Sequence, residues 1–114
     1  MTHYYTPEEA NKILPQVRAI VSKIVELRKL VETGSEKKRN AYVDELGIQV
    51  SKLEELGVDL KDMSMGLADF PAMRFDEPVC LCWKLGESEV SYWHGMTEGF
   101  KGRKLLRPEP LEAR

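Results

Sequence analysis

Ile13, Val17, Ile20, Ile24, Leu27 and Val31 recur at spacings of 4, 3, 4, 3 and 4. That is the apolar seam of a helix, sustained for almost three heptads, and it constrains the fold more than any other feature of the chain. Ala10, Leu14, Val21 and Val25 widen the seam into a broad face. The start of the helix is marked by Thr6-Pro7-Glu8-Glu9. Thr6 can cap, Pro7 suits the first helical position because its missing N–H would be unpaired there, and Glu9 completes a capping box. Pro15 lies inside the pattern and predicts a kink near Asn11–Pro15. The seam ends near Glu32. Thr33-Gly34-Ser35 then reads as a break, with Gly34 left-handed and Ser35 capping a second helix. Val43, Leu46, Val50 and Leu53 form that helix's narrower apolar stripe, and Gly57 stops it. The result is an antiparallel helical hairpin over residues 6–57, roughly 30–40 Å long at 1.5 Å per residue.

After Gly57 the period changes from helical to alternating. Strands are expected at 58–63, 65–74, 79–84 and 89–94, separated by turns at Phe75–Pro78 and Leu85–Ser88. Pro71 falls within the second of these and implies an edge or a bulge. Four-residue turns pair Arg74 with Val79 and Lys84 with Glu89. Ala68, Phe70, Ala72, Val79, Leu81, Trp83, Val90 and Tyr92 then share an apolar face, with His94 at its rim. The other face carries Asp69, Lys84 and Glu89, and beyond them Met73, both cysteines and Trp93. The expected fold is α+β, a helical hairpin packed on a three- or four-stranded antiparallel meander. At 114 residues there is room for a single domain, 1–114: hairpin 6–57, meander 58–94, irregular basic loop and tail 95–114.

Composition excludes several classes. A net charge of −2 supplies no broad basic field, so a nucleic-acid partner is not expected. No apolar run approaches the ~20 residues of a membrane helix, and MTHYYTPEEA lacks the pattern of an export signal. Cys80 and Cys82, one residue apart on a strand, lie roughly 6.5–7 Å apart between Cα atoms, at or beyond disulfide range. A reducing, cytoplasmic setting follows.

With these residues in view, the chain resembles a known family. The elements are EEAN-x-x-LP-x-V, LEELGVDLKD, GLADFPA, VCLCWKLGE and YWHGMTEGFKGR, spanning roughly residues 5–106. Together they are similar to the bacterial and archaeal family called domain of unknown function 2203. The matching positions are Gly66, Asp69, Phe70, Pro71, Ala72, Cys82, Trp83, Gly86, Glu87, Trp93, His94, Gly99, Phe100, Gly102 and Arg103. Cys80 and the tail after Leu106 look particular to this chain. The resemblance implies a small soluble protein and brings no activity with it.

No catalytic or cofactor signature stands out, and no cofactor is expected. The ligand-binding candidates are Asp69, Glu87, Trp93, His94 and Arg103. They converge where the Tyr92-Trp93-His94 strand end meets the basic loop Gly99–Lys104, a place for a small anion. Arg103 has a plainer use, pairing with Glu87 or Asp69. Cys80, Cys82 and His94 are weak metal candidates, because the expected register sets His94 on the opposite face from both thiols. The expected function is a non-enzymatic binding or interaction module that forms a homodimer through its helices. The alternative is a small-ligand, metal-dependent or hydrolytic protein at the strand end.

Overall fold

A computed structural model describes residues 2–106; the expectation of a loosely held tail lies outside that range. Helix α1 spans Pro7–Thr33 and α2 spans Glu36–Leu56. Five strands follow: β1 (Asp59–Asp62), β2 (Leu67–Arg74), β3 (Glu77–Lys84), β4 (Tyr92–Gly95) and β5 (Lys104–Leu105). They form one antiparallel sheet in the order β1-β2-β3-β4-β5. The fold is α+β, a helical hairpin on an antiparallel meander.

The capping box forms as its sequence dictates. The Glu9 N–H donates to Thr6 Oγ1 at 3.1 Å, and the Thr6 N–H donates to Glu9 Oε1 at 2.9 Å. The helix runs on through Pro15 without a break. The turn between the helices differs from expectation. Gly34 is extended (φ −77°) rather than left-handed, and Ser35 starts α2 without a side-chain cap. Gly57 does end α2 in the left-handed region, φ 75°, with its N–H on the Glu54 and Leu53 carbonyls.

One core joins the hairpin and the sheet. Leu14, Val17, Val21 and Ile24 of α1 meet Phe70, Leu81 and Trp83 of the sheet. Helix α2 packs on α1 and reaches the sheet at β1. Only Gln49 and Leu53 of α2 are buried. Of its expected stripe, Leu46 and Val50 are half-buried and Val43 is exposed. Among the described residues the exposed large apolar side chains of the hairpin, Val43 and Ile48, are both on α2.

The β2–β3 turn is two residues long, not four. Arg74 pairs with Glu77, and Phe75 and Asp76 both take positive φ, 50° and 68°. This moves the pairing by two residues, so Phe70 opposes Leu81 and Ala72 opposes Val79. An even shift leaves the faces unchanged. Pro71 lies in an inner strand but does no harm. Its carbonyl accepts from the Tyr5 N–H, so its edge faces the N-terminal lead beyond the end of β1. The missing N–H is on that same side, out of the β3 ladder.

The β3–β4 pairing differs by one residue, and that changes faces. Leu81 opposes Trp93, Cys82 opposes Tyr92, and Cys80 opposes His94. Tyr92 and His94 thus belong to the face of the cysteines, and Trp93 to the face of the helices. The expected charge row of Asp69, Lys84 and Glu89 does not form, because Asp69 is buried opposite Cys82. Residues 95–103, expected to be irregular, hold a short 3-10 turn at Phe100–Gly102 before β5. Among the described residues no helix is long and apolar enough to cross a membrane.

Candidate metal centre

Two rows of side chains cross the sheet face turned away from the helices. One is Asp69–Cys82–Tyr92 and the next is Pro71–Cys80–His94, each residue directly opposite its neighbour on the adjoining strand. The His94 ring leaves β4 opposite Cys80 and ends on Asp69 of β2, crossing β3 diagonally. Its Nε2 lies 3.1 Å from Asp69 Oδ2. Asp69, Cys82 and His94 are 2, 0 and 3% exposed. One ligand atom from each lies within 4.8 Å of the other two.

The hydrogen bonding defines the state of the histidine. Nδ1 is 2.8 Å from the Gly95 carbonyl, which can only accept, so Nδ1 carries a proton. In a neutral ring Nε2 then has a lone pair aimed at the Asp69 carboxylate. Two lone pairs cannot face each other at this distance, so either a shared proton or a cation lies between them. Asp69 Oδ1 is also buried and lacks a well-formed hydrogen bond, with only the weak thiol donors of Cys80 and Cys82 facing the carboxylate. A buried carboxylate oxygen so poorly satisfied is costly and calls for an explanation.

Burial pushes the Asp69 carboxyl above its ordinary range, and His94 only partly offsets it. Burial, followed by the nearby Asp69 charge, pushes the Cys80 thiol up to about 11 and the Cys82 thiol up to about 12. Both thiols are therefore protonated at neutral pH unless a metal replaces the proton.

The chain after β4 folds back over this face. The Arg103 guanidinium stacks 3.8 Å from the centre of the Tyr92 ring. It forks onto Glu87 at 2.7 and 2.8 Å and reaches the Cys82 carbonyl at 3.2 Å. On the other side, Cys80 Sγ lies 3.8 Å from Met96 Sδ. An open groove of about 500 Å3 begins there, with Cys80, Met96, Pro71 and Asp59 in its wall.

The expected candidates therefore separate. Asp69 and His94 come together. Glu87 and Arg103 neutralise each other, and Glu87 also accepts from the Lys84 N–H. Trp93 is on the helix side, with Arg74 at 4.5 Å and Lys104 at 4.9 Å from its ring centre. The separation of His94 from the thiols is overturned by the one-residue register difference. That Asp69, Cys82 and His94 share one face was hidden by that slip. Its only trace in the sequence is that Ser91 and Trp93 alternate as well as Val90, Tyr92 and His94 do.

No curated protein and no solved structure matches the chain. A family model described as an uncharacterised conserved protein, DUF2203, matches residues 3–106, nearly the whole chain, and this protein belongs to that family.

Proposed function

We propose that the protein binds one divalent ion of the zinc type through Asp69, Cys82 and His94. The observation that carries this reading is the poorly satisfied Asp69 Oδ1 beside a histidine whose Nε2 lone pair points into the cluster. The Gly95 carbonyl does for His94 what an outer partner does in metal sites: it fixes the tautomer and turns the other nitrogen toward the ion. Zinc bonds of about 2.0–2.3 Å put tetrahedral ligand atoms roughly 3.3–3.8 Å apart. The observed spread of up to 4.8 Å needs only a small contraction. A mixed oxygen, nitrogen and sulfur set suits a borderline ion, whereas magnesium and calcium prefer oxygen alone. Burial of all three groups favours binding over turnover.

Full-length protein purified with zinc in the medium should carry close to one ion per chain by native mass spectrometry. Asp69→Asn, Cys82→Ser and His94→Gln should each weaken zinc binding by about tenfold or more. Wild-type protein that stays metal-free on zinc addition would overturn the reading. The free state of both cysteines fits a cytoplasmic, reducing setting.

A second reading concerns the hairpin. Val43 of α2 is exposed in line with the half-buried Leu46 and Val50. A second copy of the chain packed on α2 would bury them, giving a homodimer through the helices. Light scattering should then show a dimer that Val43→Glu converts to a monomer. A wild-type monomer at high concentration would end this reading.

A further inference from the structure

We propose that Cys80 is the fourth ligand of the ion, so that the loaded site is a closed Asp69–Cys80–Cys82–His94 tetrahedron. The inference rests on the zinc reading above and adds a residue outside the three-residue cluster. The two thiols project from the same face of β3, and the histidine ring connects their rows. It starts opposite Cys80 and ends at Asp69, opposite Cys82. An ion bound to Nε2 therefore lies above β3 with a thiol on either side. Directly opposite residues on antiparallel strands hold their Cβ atoms about 4.5–5.5 Å apart, so the Cys80 thiol reaches the ion by turning about its own side-chain bond.

Little holds Cys80 where it is. Its sulfur approaches Met96 Sδ at 3.8 Å and faces the Asp69 carboxylate as a weak thiol donor, and Met96 is 62% exposed. A weak contact to an exposed thioether is cheap to give up. Asp69 cannot supply the fourth bond as well without chelating through both oxygens. Each thiol would lose its proton to solvent as its sulfur–metal bond forms, and no redox change is involved.

The consequence is functional. Three protein ligands leave an open position for water or substrate, whereas four close it. A closed site makes the ion a staple across β2, β3 and β4 rather than a reaction centre. It also makes the groove beside Cys80 and Met96 the ion's route in, with the Cys80 thiol withdrawn from the groove wall once the ion is bound.

The test is a sulfur count. X-ray absorption on zinc-loaded wild-type protein should find two sulfur ligands. In cobalt-loaded protein, Cys80→Ser should remove about half of the thiolate-to-cobalt charge-transfer absorption, by loss of one of two Zn–S-type bonds. It should also weaken zinc binding by about tenfold or more. Met96→Leu should leave the absorption and the affinity unchanged. One sulfur in the wild type, or an unchanged spectrum in Cys80→Ser, overturns the fourth ligand while leaving the three-ligand site standing. Wild-type protein that binds neither zinc nor cobalt overturns both. The sulfur count needs no variant, so a poorly folding Cys80→Ser does not leave the question open.

Discussion

Arg103 and Glu87 show how one pair can hold a whole segment. The fork onto Glu87, the stacking on Tyr92 and the bond to the Cys82 carbonyl tie the chain after β4 to β3. Burial alone would raise the Glu87 carboxyl, but hydrogen bonds from Arg103 and from the Lys84 N–H outweigh it and hold it below its ordinary value. A carboxyl depressed in the folded state is stabilising above its unfolded pKa. That contribution is lost as pH falls through the folded value, because the unfolded chain takes up the proton first. Urea unfolding should therefore find Glu87→Gln less stable than wild type at pH 7, with the gap closing as pH falls below the ordinary glutamate range of about 4.3. A gap that persists unchanged at low pH would deny the pair this role. From the chain Glu87 or Asp69 was the acid for Arg103, and the structure pairs it with Glu87. That Arg103 would also roof Tyr92 was not legible, because Tyr92 was assigned to the other face.

At the scale of elements, local chemistry decides the helices and the turns. Thr6→Ala removes the acceptor for the Glu9 N–H and should cost about 1 kcal/mol in chemical denaturation. Asp76 sits at φ 68° in the β2–β3 turn, where glycine is more comfortable. Asp76→Gly should stabilise the protein by about 0.5–1 kcal/mol, because two-residue hairpin turns of this kind favour glycine there. A loss of stability would mean that the Asp76 side chain contributes more than the strain costs. The capping box and the seam of α1 were legible because their signals are local and repeat. The β3–β4 register was not. Val90 is buried as the strand reading required, yet it lies in the loop before β4. Its N–H donates to Asn11 Oδ1 at 2.7 Å, a contact across 79 residues. The Trp83 indole donates to the Glu87 carbonyl at 2.9 Å and shapes the same loop. The first of these bonds holds Val90, which a four-residue turn would have paired with Trp83, in the loop, and β4 pairs one residue out from that expectation.

For the whole molecule, three strands converge on one buried cluster, and an ion there would couple them. Zinc at 100 times its dissociation constant should add about 2.7 kcal/mol to stability. In a chain of this size that is a rise in Tm on the order of 10 °C. Differential scanning fluorimetry with and without zinc checks this, and the rise should vanish in His94→Gln. A Tm that does not move in wild type would speak against the site. The sequence by itself determined the two helices, the meander, the core of Phe70, Leu81 and Trp83, and the family. The helices, the meander and that core follow from short-range periodicity, the family from its matching motifs, and an even shift in strand pairing leaves a face intact. Only the tertiary structure decided which face Tyr92, Trp93 and His94 occupy. Side chains alternate along a strand, so one residue of register, in a hairpin whose loop is tied to a distant asparagine on α1, moved His94 from the rim of the core to Asp69 and the cysteines.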